Sequence, residues 1–374
     1  MFAAAFCLGC LCVGNPQKYI PFVVSHLGSG DYNKVVMLTA VKEAVNRCAS
    51  SGNAELLIPH VQSSILPLLV SLANQANEAA RVKVQDCLGK LLKMAPVEVM
   101  DCLTSSSSSG DPLVVASTFE SFRYYTNTDE ATDDMVVPAF ISLATASISH
   151  PELEPRRAVV SALSTLVPKP AYFRAADAAA VETLVQAVLS ECATTHVVEE
   201  QLGNEKIKTD YAAPNRAAAF VCLGRLLENL EDKVSVAECM KAAVTGCGDS
   251  DVEPKVAALS VVSSLAQTSS NLLSEYVGSL KDTVLASIKA SRVIKKDDPS
   301  KFPVIKAFVM EIRDILQSFK ESEPSHAVHE ELEMGLDKQR ADWAKSKVPA
   351  TRLLVSLIDE FRGLAIEAGA EAEV

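Results

Sequence analysis

Cys87-Leu88-Gly89-Lys90-Leu91-Leu92 returns as Cys222-Leu223-Gly224-Arg225-Leu226-Leu227, and a shorter form, Cys7-Leu8-Gly9-Cys10-Leu11, opens the chain. Around these copies the apolar residues fall at helical spacing. Ala80, Val84, Cys87, Leu88 and Leu91 share one face of a predicted helix, as do Arg216, Phe220, Leu223, Leu227 and Leu230. Looser copies run Thr39-Ala40-Val41-Lys42-Glu43-Ala44, Ser161-Ala162-Leu163-Ser164-Thr165-Leu166 and Ala258-Leu259-Ser260-Val261-Val262. Most neighbouring copies fall roughly 30–50 residues apart, the range of HEAT and armadillo units.

A first helix is predicted ahead of these second helices, for example at residues 18–27, 58–72, 135–148, 181–192 and 272–288. Turns carry Gly28-Ser29-Gly30-Asp31, Gly110-Asp111-Pro112, Pro151-Glu152-Leu153-Glu154-Pro155 and Asp249-Ser250-Asp251. No such helix pair buries its apolar face alone, so stacking is the stable solution. The expected fold is all-α: an α-solenoid of HEAT repeats (an ARM/HEAT superhelix) with one protruding β-hairpin. We expect a single array over residues 1–374, a hairpin insertion at 194–211 and a frayed acidic tail at 365–374. The array starts mid-repeat, on a second helix. That predicts a bare apolar face, covered either by more of a longer array or by another subunit.

Between Ala193 and Pro214 the helical period breaks. Thr194-Thr195-His196-Val197-Val198-Glu199-Glu200-Gln201-Leu202 is followed by Gly203-Asn204, then by Glu205-Lys206-Ile207-Lys208-Thr209-Asp210-Tyr211. A Gly-Asn pair between two β-branched, charge-bearing runs is a two-residue hairpin signal; a helix extension or a plain loop is the competing reading. In the hairpin register Glu199 faces Lys208 and Gln201 faces Lys206, while Val198 lies opposite Thr209 and Glu200 opposite Ile207. Such pairs contribute roughly 0.2–1 kcal/mol each, too little for an isolated hairpin to persist. A hairpin pushed out of a helical array exposes unpaired edges, so it is the best functional handle in the chain.

Residues are 48% hydrophobic but only 5% aromatic, which predicts closely approaching helices with small contact residues. The net charge of −12 argues against a nucleic-acid surface, which needs clustered Lys and Arg, and suits a basic or mixed protein partner. The ten cysteines sit in apolar helical runs; Cys48, Cys87 and Cys222 read as small hydrophobes in a reducing compartment. Residues 1–13 resemble the apolar core of a signal peptide. They lack a basic leader and a cleavage site, and their pattern returns inside the chain. No stretch reads as a membrane span, so no membrane partner is expected.

Candidate chemistry is sparse. Cys7, Cys10 and Cys12 read as packed core, because no second Cys or His pair sits at zinc spacing. His326 and His329, with Glu330 and Glu333, read as a solvated polar face. Ser105-Ser106-Ser107-Ser108-Ser109-Gly110 reads as a flexible loop that could be phosphorylated, and Lys295-Lys296-Asp297-Asp298 as a solvated one. No phosphate loop, catalytic triad or carboxylate pair stands out. We expect no enzyme, no metal site and no cofactor.

Several segments resemble the C-terminal third of the cullin-associated and neddylation-dissociated protein family, a region also called the TATA-binding-protein-interacting domain. They are Ala5-Phe6-Cys7-Leu8-Gly9 leading through Gly14-Asn15 to Tyr19-Ile20-Pro21-Phe22-Val23, then Asp86-Cys87-Leu88-Gly89-Lys90-Leu91, and Pro155-Arg156-Arg157-Ala158 with Lys169-Pro170. The most specific is Leu202-Gly203-Asn204-Glu205-Lys206 through Arg216-Ala217-Ala218-Ala219-Phe220, similar to the family's hairpin and following helix. The resemblance weakens after about residue 291.

It implies a factor that grips the N-terminal helices of unneddylated cullins and competes with the adaptor protein. By excluding the adaptor–substrate-receptor module it would regulate SCF-type cullin-RING ubiquitin ligases. The partner-binding residues expected on the hairpin are Val198, Glu200, Leu202, Gly203, Asn204, Lys206, Ile207, Lys208 and Thr209. The family's large N-terminal HEAT array is absent from these residues and is expected as a missing partner. The expected location is cytoplasm and nucleus. The alternatives are a general HEAT scaffold or transport-receptor piece, and a factor that contacts TATA-binding protein.

Overall fold

The computed structural model describes residues 2–268 other than 28–30, 53, 75–76, 126–129 and 203–204, together with Tyr276. The late helix expected at 272–288, the Lys295–Asp298 loop, His326, His329 and the 365–374 tail lie outside the described residues. The chain divides into two compact units, Met1–Ala187 and Val188–Val374.

In the first unit the elements are α1 (Phe2–Gly14), α2 (Pro16–His26), α3 (Asp31–Ser51), α4 (Ile58–His60), α5 (Leu66–Ser71), α6 (Glu78–Met94), α7 (Pro96–Ser107), α8 (Pro112–Phe122), α9 (Glu130–Ser147), α10 (Leu153–Leu166) and α11 (Pro170–Ala175). A further helix, α12 (Ala178–Glu191), spans the division. The second unit holds β1 (Val197–Leu202), β2 (Glu205–Asp210), α13 (Ala213–Leu230), α14 (Val236–Gly246) and α15 (Val252–Thr268). Among the described residues the fold class is all-α repeat packing of HEAT/ARM type with one small antiparallel hairpin.

Helix starts follow from capping chemistry. Asn15, Asn77, Asp111 and Ser235 each accept a hydrogen bond from a backbone N–H of the first turn they precede. Pro16, Pro96, Pro112 and Pro170 sit where a helix has no use for the missing N–H. In the first unit α1 packs on α3, α3 on α6, α6 on α8 and α8 on α10. The intervening helices form their own row, α7 on α9 and α9 on α11, with α7 joining α6 and α8, and α9 joining α10, across the rows. Every strong contact is thus between near neighbours in sequence, the arrangement that stacked repeats require. In the second unit α13 and α14 both pack on α15.

The repeated Cys-Leu-Gly element has a steric cause. A Cβ on Gly89 would lie 2.3 Å from the Ser121 carbonyl oxygen, and one on Gly9 would lie 2.6 Å from Glu43 Cβ. Glycine therefore lets α6 meet α8, and α1 meet α3, at backbone distance. Gly224 departs from the pattern, because its nearest neighbour would be Val261 Cγ2 at 3.8 Å. The expected stripes are buried: Ala80, Val84, Cys87, Leu88 and Leu91 on α6, and Arg216, Phe220, Leu223, Leu227 and Leu230 on α13.

Three expectations are corrected. Cys7 is exposed and Cys10 half-buried rather than packed in a core. The buried stripe of α1 runs through Ala5, Gly9 and Cys12, one face at spacings of four and three. The serine run is not wholly a loop, since Ser105–Ser107 complete α7, with Ser106 buried and its hydroxyl donating to the Cys102 carbonyl. One stretch, Ala54–Ser71, does reach the length and mean hydropathy (1.2) of a membrane span. It is broken into a 3-10 turn, α4, a π-helical turn and α5, and it carries Glu55, Pro59, His60 and Pro67. Its segments pack on α2, α3, α6 and α7. Phe6 and Leu11 of α1 are exposed, and the Arg47 guanidinium lies over the Phe6 ring at 4.7 Å.

Candidate functional site

The break at Ala193–Pro214 is an antiparallel hairpin, not a helix extension. Its register pairs Val198 with Thr209, Glu199 with Lys208, Glu200 with Ile207, Gln201 with Lys206 and Leu202 with Glu205. That register leaves Gly203 and Asn204 as the two-residue connection, and both lie outside the described residues. Of the expected site residues, Lys206, Lys208 and Thr209 are exposed and Val198 is half-buried. For Glu200, Leu202 and Ile207 the structure places the backbone only. Glu199 stands 3.6 Å from the Lys208 ammonium and 3.9 Å from that of Lys206. Such exposed pairs contribute little, about 1 kcal/mol or less. The strands alone do not explain why this hairpin is ordered.

Its base does. Arg216, on the buried stripe of α13, is 4% exposed. Its Nη1 donates to Asp210 Oδ2 at 2.6 Å and to the Thr194 carbonyl at 2.8 Å. Its Nε and Nη2 grip Asp249 in a bidentate pair at 2.6 and 2.9 Å. Asp251 completes the acidic surround at 3.6 Å. One guanidinium therefore ties together the chain entering β1, the end of β2 and the turn between α14 and α15.

Asp210 is held from its other oxygen too. Oδ1 accepts the backbone N–H of His196 at 2.9 Å and of Ala212 at 3.0 Å, closing the hairpin across its open end. The Tyr211 N–H donates to the His196 carbonyl at 3.0 Å. Behind this clamp, buried Asn215 donates to Glu191 Oε1 at 2.7 Å. Hydrogen bonds to Asp249, then to Asp210, hold the Arg216 guanidinium protonated well beyond its ordinary range, outweighing burial. Burial pushes the Asp210 carboxyl up, but bonds from His196, Ala212 and Arg216 prevail and leave it below the usual 3.8.

Sequence reasoning placed Arg216 on a buried stripe without drawing the consequence. A buried arginine needs carboxylate partners, and Asp210 and Asp249 are the ones the fold supplies. Asp249, 33 residues away, has no sequence signal that assigns it to the hairpin. Among the described residues no group of three or more His, Cys, Asp or Glu side chains is placed to hold a metal ion. The site offers a polar hairpin clamped at its base.

No family model matches the chain. It is 25% identical over 275 residues to cullin-associated NEDD8-dissociated protein 1 of Dictyostelium discoideum, covering 73% of this chain and 22% of that protein. It is 24% identical over 353 residues to cullin-associated NEDD8-dissociated protein 1 of Drosophila melanogaster, covering 88% of this chain and 28% of that protein. The chain thus spans about a quarter of the length of these curated relatives. In structure it resembles a chain from a complex of Kap95p with RanGDP, with a TM-score of 0.62 at 11% identity over 96% of this chain and 45% of that one. The fold and these similarities define the class: a HEAT/ARM-type helical-repeat scaffold. Within that class the chain is a distant relative of the cullin-associated NEDD8-dissociated proteins.

Proposed function

We propose that this chain is a cullin-binding assembly or exchange factor. In this reading the hairpin enters the adaptor's place on the N-terminal helices of an unneddylated cullin and so excludes the adaptor–substrate-receptor module. The observation that carries it is the hairpin held at its base by Arg216, with Lys206, Lys208 and Thr209 presented to solvent. A projection displaces a competitor only if it resists bending, and a buried bidentate clamp supplies that resistance. The names of the sequence relatives and the order of the family-like segments support the choice of cullin. Two ligands that exclude each other on one scaffold weaken each other reciprocally, so no reaction is required. Action in cytoplasm and nucleus belongs to the same proposal.

The test is competition. The chain is expected to pull down unmodified cullin and to be displaced by adaptor. Deleting residues 198–209 is expected to abolish the competition while the helical circular dichroism persists. Competition that survives the deletion would sink the hairpin mechanism. A second reading, a general scaffold of the transport-receptor kind, is favoured by the Kap95p-like packing. It expects capture of a cargo protein that is indifferent to the deletion.

A further inference from the structure

The row α6, α8 and α10 repeats one short element: Glu78-Ala79-Ala80-Arg81, Glu120-Ser121-Phe122-Arg123 and Glu154-Pro155-Arg156-Arg157. A glutamate and an arginine three apart fall on one side of a helix. All three pairs line a single groove of about 260 Å³. The charges in it are not matched pair by pair. Arg123 is held by Glu120 at 2.7 Å, and Arg81 reaches across to Glu154 at 3.9 Å. Arg157, half-buried, makes no ion pair or side-chain hydrogen bond with the described residues. Gln85 lines the same groove, is 8% exposed and likewise makes no side-chain hydrogen bond with them.

The Gln85 amide and the Arg157 guanidinium, with no side-chain partner among the described residues, face one groove and leave their donors open to a ligand. A carboxylate satisfies both, accepting from the guanidinium fork with its two oxygens and from the amide N–H with a remaining lone pair. We propose that this groove docks one Asp or Glu side chain presented by a peptide segment of a partner protein. The three lining glutamates set the specificity. They repel polyanions and runs of acidic residues, so a lone carboxylate with neutral or basic neighbours is preferred. The volume suits a side chain rather than a folded surface. The groove lies within Met1–Ala187 and the proposal does not depend on the hairpin.

The test uses the full chain labelled with ¹⁵N-arginine and follows the side-chain Nε–H resonances of Arg157 and Arg81. The probe is a capped pentapeptide with one glutamate among alanines and serines, beside its glutamine counterpart and sodium succinate. The glutamate peptide is expected to shift both resonances saturably, and the glutamine peptide to bind at least about tenfold more weakly. Arg157→Gln, read through Arg81, is expected to weaken binding by about tenfold or more. Gln85→Met, a near-isostere that keeps the groove packed, is the second variant and is expected to weaken it by about threefold. Equal binding of both peptides, unchanged binding in both variants, or no shift up to roughly 10 mM peptide would overturn the proposal. So would succinate binding as tightly as the peptide, because the site would then serve a free small acid.

Discussion

Arg216 sets the stability of the hairpin at the scale of one residue. Removing it strands Asp210 and Asp249 in a buried place, and breaking a buried pair from one side costs about 3–5 kcal/mol. Arg216→Met is expected to lower stability to urea by that order and to expose the amides of β1 and β2 to hydrogen exchange. Unchanged exchange in the strands would show that the clamp is not what orders them. Acid should act through the same place. Because the Asp210 carboxyl lies below its ordinary value when folded, the unfolded chain binds more protons and stability rises with pH across the interval. The contribution is whole above about pH 4 and is lost as pH falls through the folded value. Protection of the His196 and Ala212 amides, corrected for intrinsic exchange, is expected to fall on acidification in the wild type. In Asp210→Asn it is expected to be weaker and nearly flat with pH.

Two helices that look alike in sequence behave differently as elements. Gly89 and Gly224 occupy the same place in the repeated motif, yet a Cβ meets the Ser121 carbonyl at 2.3 Å in one and only Val261 at 3.8 Å in the other. Gly89→Ala is expected to destabilise by about 1–3 kcal/mol, because α6 and α8 must part. Gly224→Ala is expected to be neutral or to stabilise by up to about 1 kcal/mol through helix propensity. Thermal melts of the two variants check the pair, and equal losses would contradict this account of the motif. The hairpin shows the converse. Its strands and register were legible from Gly203-Asn204 and the flanking β-branched runs, because turn chemistry is local. Its anchor was not, because Asp249 meets Arg216 only after α14 and α15 have packed.

As a molecule, the chain is a set of near-neighbour contacts, so a local injury should fade with distance along each row. In native-state hydrogen exchange, Gly89→Ala is expected to cost the most protection in α6 and α8 and progressively less toward α1 and α2. Uniform loss across Met1–Ala187 would mean that the unit opens as one block. The helical stripes, the turns and the stacking were readable from the sequence, since each rests on a spacing of three or four residues. The Cys7 face and the end of α7 were misread, because the neighbouring helix, not the motif, decides which side of a helix is inside. By itself the sequence determined an all-α repeat fold, the hairpin and its pairing, through periodicity and turn propensity that act within a few residues. The tertiary structure alone decided that Arg216 clamps the hairpin base and that Arg157 and Gln85 share a groove. Those facts depend on residues tens of positions apart being brought within hydrogen-bonding range, or onto one groove wall, by helix packing.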